Sequence, residues 1–190
     1  MIIKKILLLV VCLFLLHTVF SQDLVQWGIK FGFDVPTNTK DFNADLAYKK
    51  TINYNVGLQL RVGERWFGQT GVEYHINKCS LLWQDTSHQD MELGYLSIPL
   101  QAGFHIIQSE KVAFRAMLGV QYRALVRLSK NDIGIENNHF NIHNFDFIGG
   151  LGLDIYSFTL DFGYRKTVNP IMPNSKHYRD MFIMSVGLIF

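Results

Sequence analysis

Polar and apolar residues alternate along most of this chain, in segments of about ten residues. In the last segment, MFIMSVGLIF, Phe182, Val186 and Phe190 fall on one side of an extended backbone, while Ser185 and Gly187 fall on the other. A period of two is typical of β-strands. The pattern predicts eight strands, at roughly residues 25–34, 52–62, 66–76, 92–106, 112–127, 144–156, 158–166 and 181–190.

Short and long connections alternate strictly between these segments. The short ones read GER, IQSEK and YSF, and the long ones span residues 35–51, 77–90, 128–143 and 167–180. In an up-and-down meander, all the long loops therefore emerge at one end and all the short turns at the other. Outer-membrane barrels have this arrangement, with the long loops outside the cell. Pro99, which has no N–H to donate, predicts a bulge or an interruption of pairing in the fourth strand.

The two faces of the predicted strands differ in bulk and in charge. One carries Phe, Tyr, Trp, Leu and Val without charges through the strand centres, and the other carries glycines and most of the polar residues. A soluble lipocalin-like barrel would turn the apolar face inward, around a hydrophobic ligand. The interior of an eight-stranded barrel is only just wide enough for side chains. We therefore expect the small and polar face inside and the bulky face in lipid.

The aromatic residues of the bulky face fall near the predicted strand ends. Two aromatic girdles are typical of the two membrane interfaces. The girdle at the turn end is predicted to contain Trp27, Trp66, Phe104, Phe114, Phe158 and Phe190, and the girdle at the loop end Phe33, Tyr54, Tyr74, Tyr122, Phe145, Tyr164 and Phe182.

Charges of both signs are predicted inside the barrel. The basic residues are Lys30, Arg61, Arg115, Arg123, Arg127 and Arg165, and the acidic ones are Asp34, Glu73, Asp146, Asp154 and Asp161. Such a set forms either an ion path or a salt-bridged plug, because ionised groups in a narrow lumen must pair or stay hydrated. The small bore of eight strands favours the plug.

Two sets of residues raise the question of chemistry. His75, His105, Glu73 and Ser97 supply the groups of a hydrolase, but Ser97 lies in no G-x-S-x-G context, which favours a polar lumen lining. The loop histidines lack a convergent third metal ligand; they are His88, His139, His143 and His177. We therefore predict no catalytic residues, no metal and no cofactor.

The N-terminal residues predict export. Lys4 and Lys5 precede an uncharged run of 15 residues, Ile6 to Phe20, which is shorter than a spanning helix needs. Residues 1–21 therefore predict a signal peptide, and residues 22–190 the barrel domain. Without residues 1–21, the basic and acidic residues balance, which argues against nucleic-acid binding. Cys79 is then the sole cysteine, so no internal disulfide is expected.

Several stretches resemble a known family. VQWGIKFGFDV, GYLSIPLQAGFHI, GVQYRALV, GGLGLDI and the terminal Phe190 are similar to the PorT-like small outer-membrane β-barrels of the Bacteroidetes. The resemblance implies a porin-like barrel, and the family's namesake acts in a protein secretion and maturation pathway. Phe190 resembles the signal that the barrel assembly machinery reads.

Together these features predict an all-β fold, an eight-stranded antiparallel up-and-down transmembrane barrel in the outer membrane of a Gram-negative bacterium. The expected function is structural or accessory and non-enzymatic, with secretion as one context. Expected partners are outer-membrane lipid and lipopolysaccharide, the barrel assembly machinery and a protein at the long loops, where apolar residues such as Trp83 and Phe140 lie. The alternatives are a narrow channel for solutes or ions, a lipid-modifying enzyme and a lipocalin-like periplasmic binder.

Overall fold

The structure is a computed structural model. It describes residues 24–37, 52–83, 87–129, 141–170 and 180–190, and for residues 79–83 and 87–91 it describes the backbone alone. The predicted signal peptide and most residues of the predicted long loops lie outside the described residues.

Eight antiparallel strands form one closed barrel, as the alternation predicts. Each strand pairs with its neighbours in sequence, and the last pairs with the first. The strands are β1 (Val25–Pro36), β2 (Asn53–Gly63), β3 (Trp66–Trp83), β4 (Ser87–Gln108), β5 (Val112–Leu128), β6 (His143–Ile155), β7 (Phe158–Thr167) and β8 (Met181–Ile189). The eight-stranded up-and-down topology is confirmed.

None of the described residues belongs to a helix long and apolar enough to cross a membrane.

The bulky face of the sheet points outward and the polar face points into the lumen. Leu118 is 71 % exposed, whereas Arg115, three residues earlier on β5, is fully buried. In a soluble protein the arginine would be exposed and the leucine buried. The distribution rules out the lipocalin-like alternative, which needs the apolar face inside.

The seam between β1 and β8 closes the sheet. Their register runs from Gly28 opposite Ile189 to Pro36 opposite Met181. Below it, the Trp27 N–H donates to the Phe190 carbonyl at 3.1 Å, and the Phe190 N–H donates to the Trp27 carbonyl at 2.8 Å. Backbone groups inside hydrocarbon have no water to bond, so this seam removes the edge that an open sheet would expose.

The third and fourth strands are longer than the sequence pattern predicts. Residues 77–90 were expected to form a long loop, but most of them continue the β3–β4 pairing as a two-stranded ribbon, from Lys78 opposite Glu92 to Trp83 opposite Ser87. We call Lys78–Trp83 and Ser87–Glu92 the β3–β4 ribbon. Its sequence lacks a regular apolar face, because beyond its first pair, Lys78–Glu92, the ribbon extends past the barrel wall and separates no lumen from lipid.

The fourth strand is irregular where Pro99 and its surroundings predict. The β3–β4 pairing passes from Thr70–Leu100 to Glu73–Ser97 in unchanged register, without a ladder pair at Pro99. The Thr70 hydroxyl donates to the Pro99 carbonyl at 2.8 Å. Facing β5, the register of β4 shifts between Gly94 and Tyr95 and again between His105 and Ile107.

The closing seam has no room for a side chain at Gly28, which gives a test of the fold. A Cβ at Gly28 would lie 2.2 Å from the Leu188 carbonyl oxygen, whereas one at the outward Gly68 would meet nothing within 4 Å. We expect Gly28→Ala to destabilise the barrel by about 1–3 kcal/mol through overpacking, and Gly68→Ala to leave it unchanged.

The measurement is the temperature at which the compact band of the unboiled protein disappears on SDS gels. Equal midpoints for Gly28→Ala and Gly68→Ala would contradict the tight β1–β8 seam.

Candidate functional site

Among the described residues, five basic and five acidic side chains in the lumen of the barrel form ion pairs with one another. Alternation along the strands turns them inward, and strand register then decides which of them meet. They are Lys30, Arg61, Arg115, Arg123 and Arg165, and Asp34, Glu73, Asp146, Asp154 and Asp161, in three clusters between the turn end and the loop end. Their formal charges cancel.

The cluster nearest the turns joins β2, β5, β6 and β7. Arg61 Nη1 lies 2.8 Å from Asp154 Oδ2, and Arg115 Nη2 lies 2.6 Å from Asp161 Oδ1. Arg115 also approaches Asp154 at 3.2 Å and donates to the Thr159 hydroxyl at 2.6 Å. The two arginines therefore share the acidic groups of neighbouring strands.

Phe67 is an inward aromatic residue beside this cluster. The Arg61 guanidinium lies 5.0 Å from its ring centroid, and the His105 ring lies 4.7 Å away. Gly103 faces the ring, because a Cβ at Gly103 would lie 2.1 Å from Phe67 Cζ. Phe67 thus occludes part of the lumen, although the charge pattern alone did not single it out. Its position in β3, in phase with Gln69 and Glu73, places it inside.

The central cluster is a chain of ionic and hydrogen-bonded contacts across the barrel. Lys30 Nζ lies 2.5 Å from Glu73, whose other carboxylate oxygen lies 3.0 Å from His75 Nε2. His75 Nδ1 lies 3.1 Å from Asp34, and Arg165 Nη2 donates to the same Asp34 oxygen at 2.7 Å. Paired charges of this kind are costly to separate, because each partner alone would be a buried, unsolvated charge.

The cluster nearest the loops is an Arg123–Asp146 pair with two bonds, at 2.5 Å and 2.9 Å. The Arg123 guanidinium also lies 5.4 Å from the Tyr95 ring centroid. Around it, the buried apolar side chains Leu93, Tyr95, Leu125 and Met181 pack together with the buried polar side chains Asn53, Asn77, Asn144 and Thr167. This end of the barrel is therefore filled by packing as well as by charge pairing.

Little free space remains between these clusters. A cavity of about 50 Å³ adjoins Glu73, His75 and Gln121. Another, of about 140 Å³, opens at the turn end between Arg61, His105 and Tyr156. The inner cavity has room for a few water molecules. The geometry is that of a plugged lumen with a shallow vestibule at the turn end.

Arg127 lies outside the lumen, contrary to the prediction. Tyr95 pairs with Leu125 but Gly94 pairs with Arg127, so Val126 is an extra residue on β5. A bulge reverses the facing of the residues that follow it, and Arg127 is accordingly exposed on the outer face. The other residues predicted for the charge network point into the lumen.

Ser97, His75 and Asp34 meet in an arrangement that resembles a hydrolytic triad. The Ser97 hydroxyl lies 2.9 Å from His75 Nε2, and Asp34 lies 3.1 Å from Nδ1. However, Ser97 is fully buried, and Nε2 also contacts Glu73. A nucleophile must reach a substrate, and the adjoining cavity of about 50 Å³ admits only water. His105 is not part of this group; its Nδ1 bonds the Glu64 carbonyl at 2.6 Å.

Aromatic residues line both rims of the outer face. At the turn end, the Trp27 and Phe190 rings are 5.0 Å apart, Trp66 and Phe104 are 4.6 Å apart, and Phe158 is 65 % exposed. At the loop end, the Tyr122–Phe145 and Tyr164–Phe182 pairs lie at 5.3 Å and 5.5 Å. Phe33 and Tyr54 are exposed there, and Tyr74 is partly exposed.

The loop histidines form no metal site within the described part of the chain, where no group of three His, Cys, Asp or Glu side chains is arranged to hold an ion. His139 and His177 lie outside the described residues, as does the side chain of His88. His143 Nδ1 lies 2.5 Å from the Tyr122 hydroxyl.

The central ion pair gives a test of the plugged lumen. Glu73→Gln would leave Lys30 buried without its nearest carboxylate, so we expect it to lower the free energy of unfolding by about 3–5 kcal/mol. Lys30→Met combined with Glu73→Gln is expected to recover part of the loss. Urea unfolding in lipid vesicles measures both.

The matched control is Lys78→Gln, which breaks the Lys78–Glu92 pair, whose side chains are half exposed. An exposed pair contributes at most about 1 kcal/mol. A loss no larger for Glu73→Gln than for Lys78→Gln would contradict a dry, paired lumen.

Comparison with the solved structure of OprG supports the barrel fold. OprG from Pseudomonas aeruginosa is 13 % identical, with a TM-score of 0.50 over 88 % of this chain and 97 % of OprG. Ail from Yersinia pestis, solved with the heparin analogue sucrose octasulfate, is 16 % identical, with a TM-score of 0.49 over 88 % of this chain and 99 % of Ail. A comparison with curated proteins gave no match.

A protein-family comparison covers most of the sequence. Residues 20–172 of the 190 match the family described as outer membrane protein beta-barrel domain. The match includes β1 to β7. The chain therefore belongs to the outer membrane protein beta-barrel domain family, and the protein is a β-barrel of the bacterial outer membrane.

Proposed function

We propose that this protein is a non-enzymatic accessory protein that holds a partner protein at the cell surface through the β3–β4 ribbon. The observation that carries the proposal is the length of this ribbon. Its six pairs run from Lys78–Glu92 to Trp83–Ser87, and those after the first continue beyond the barrel, which corresponds to about 17 Å of strand at roughly 3.4 Å per residue.

Both edges of the ribbon offer backbone groups for recognition. The last pair between β2 and β3 is Tyr54–Ile76, and the last pair between β4 and β5 is Leu93–Leu128. The first ribbon pair is still bonded to its neighbours, since the Lys78 N–H donates to Asn53 Oδ1 at 3.0 Å and the Ser129 N–H donates to the Glu92 carbonyl at 2.9 Å. Beyond that pair, neither edge of the ribbon pairs with another described strand. Unpaired strand edges bind extended segments of other chains by adding a strand to the sheet.

The plugged lumen is consistent with a scaffold rather than a conduit. Its charges are paired within three clusters, and the barrel wall is continuous through the β1–β8 seam. Such a barrel is a rigid anchor, and binding residues are commonly presented on loops and hairpins that a rigid scaffold positions.

The finer context of this function rests on resemblance. A PorT-like barrel of the Bacteroidetes would act as an accessory to protein secretion, with Phe190 read by the barrel assembly machinery during insertion. Lipid and lipopolysaccharide would surround the folded barrel. The long loops, most of whose residues lie outside the described part of the chain, would add contacts to the partner.

Site-specific photo-crosslinking tests the role of the ribbon. A photoreactive residue at Leu82 is expected to give a discrete crosslinked band in intact outer membranes, while one at Tyr156, in a turn at the opposite end, is not. Replacing residues 79–91 with Asn-Gly joins Lys78 to Glu92 by a two-residue hairpin turn and preserves the barrel.

The shortened variant should keep the heat-dependent band shift of a folded barrel and lose the complex with the partner protein that we expect the full-length protein to form on native gels. A shortened variant that retains the complex, or a full-length protein that crosslinks equally from both ends, would refute the proposal.

The turn-end vestibule of about 140 Å³ favours a second candidate, a narrow channel, because an open mouth is the first element of a pore. The buried charge pairs beyond Phe67 predict that the purified protein gives no single-channel steps in planar bilayers. Stable single-channel steps would instead support a channel function and contradict the scaffold function. A changed lipid A or phospholipid profile on gene deletion would instead indicate a lipid-modifying enzyme.

A further inference from the structure

We propose that the outer face at the loop end carries a binding site for the phosphate group of a phosphorylated glycolipid in the outer leaflet. The site is formed by Arg127, the Tyr74 hydroxyl and Lys78 around Gly94. It depends on the membrane location of the barrel and shares only Lys78, in the first pair of the ribbon, with the proposed partner site.

The β5 bulge creates the site by moving a guanidinium from the lumen to the lipid side. Arg127 stands opposite Gly94 in the β4–β5 register, whereas the next pair down is Tyr95–Leu125, which faces inward. If Val126 were a regular outward residue of β5 instead of a bulge, Arg127 would continue the inward row of Arg123 and Leu125. Among the described residues, no carboxylate lies within ion-pair distance of Arg127.

Gly94 leaves a gap in the outer surface of β4, and the Tyr74 hydroxyl and the base of the Arg127 side chain cover it, so that Gly94 is buried. A Cβ at Gly94 would lie 2.4 Å from the Tyr74 hydroxyl oxygen and 2.9 Å from Arg127 Cβ. A larger residue would therefore push the two groups apart. The absence of a side chain allows a phenolic donor and the base of a cationic side chain to lie side by side on the outer face.

Lys78 supplies a second cation next to this gap. It lies opposite Glu92, and Nζ is 3.4 Å from Glu92 Oε1, with both side chains about half exposed. Glu92 is the one acidic neighbour among the described side chains of this patch, and its N–H donates to the Ser129 hydroxyl at 2.9 Å. Two cations against one carboxylate leave a net positive site.

The surface below the gap is apolar. Ile76, Leu96, Ile98 and Val126 are exposed side chains on the outward face of the same strands. A ligand that contacts both the basic groups and this apolar surface needs a phosphate attached to hydrocarbon chains. Membrane lipids have this structure. Arginine suits the phosphate because its planar fork donates two parallel hydrogen bonds.

The position along the barrel selects the leaflet. The turns Glu64–Arg65 and Tyr156–Ser157 lie at the opposite end, and short turns face the periplasm in outer-membrane barrels. Arg127 and Lys78 therefore lie at the level of the outer leaflet, where phosphorylated glycolipid is the lipid that an outer membrane presents.

Native mass spectrometry of the detergent-solubilised barrel tests the site. The probes are bisphosphorylated lipid A, the same lipid A with its phosphates removed, phosphatidylglycerol and inorganic phosphate. We expect wild-type protein to bind bisphosphorylated lipid A best, and Arg127→Gln to weaken that binding about tenfold, as expected for a lost hydrogen bond to a charged group.

Lys166→Gln is the matched control, since Lys166 is also exposed near the loop end but lies on β7. It is expected to bind as the wild type does. Gly94→Leu displaces the Tyr74 hydroxyl and the base of the Arg127 side chain, and is expected to weaken binding as Arg127→Gln does. All variants are first checked for the heat-dependent band shift, so that a folding defect is recognised.

Three results would overturn the proposal. These are equal binding by wild type and Arg127→Gln, equal losses for Arg127→Gln and Lys166→Gln, and equal binding of lipid A with and without phosphates. If phosphatidylglycerol bound as strongly as bisphosphorylated lipid A, and this binding depended on Arg127, the result would overturn the assignment to a glycolipid and assign the site to phospholipid headgroups. Arg127-dependent binding of inorganic phosphate alone would overturn a lipid ligand.

Discussion

The pairing of every backbone N–H and C=O group within the membrane is the constraint on which this structure depends. Hydrocarbon offers no hydrogen bonds, so a sheet that crosses it must close on itself. The β1–β8 register provides that closure, and glycines such as Gly28 allow the two strands to approach. The lipid that surrounds the barrel also explains the apolar outer face and the aromatic residues at the two rims.

A barrel that closes with eight strands has a narrow lumen, which limits the volume of the side chains that it can hold. Arg115 shows how the space is shared between strands: a Cβ at Gly152 would lie 1.6 Å from its Nη1. The arginine therefore occupies volume that the glycine leaves empty, and the carboxylates of Asp154 and Asp161 satisfy its charge. Glycines and paired charges thus act together in filling the lumen, because a narrow barrel leaves no other room for large charged side chains.

The alternation of residues was sufficient to predict the strands and the facing of most side chains. It placed Lys30 and Glu73 in the lumen, but their contact depends on the registers of β1 with β2 and of β2 with β3, which set both residues opposite Gly57. Arg127 was misplaced because a single extra residue, Val126, reverses the phase locally. The β3–β4 ribbon was missed because strand pairing beyond the barrel wall requires no apolar face, so residues 77–90 lacked the signal that identifies the other strands.

The seam has a kinetic consequence. Seven of the eight strand pairings join neighbours in sequence and are formed by hairpins, but the pair Gly28–Ile189 joins residues 161 positions apart. Contacts of high sequence separation form late, because the entropy of ordering the intervening chain must be lost before they contribute. The sheet therefore spends the slowest stage of its assembly as an open, curved meander with β1 and β8 unpaired. During that stage a strand from another chain competes with β8 for β1, so the yield of native barrel depends on shielding these two edges until they meet.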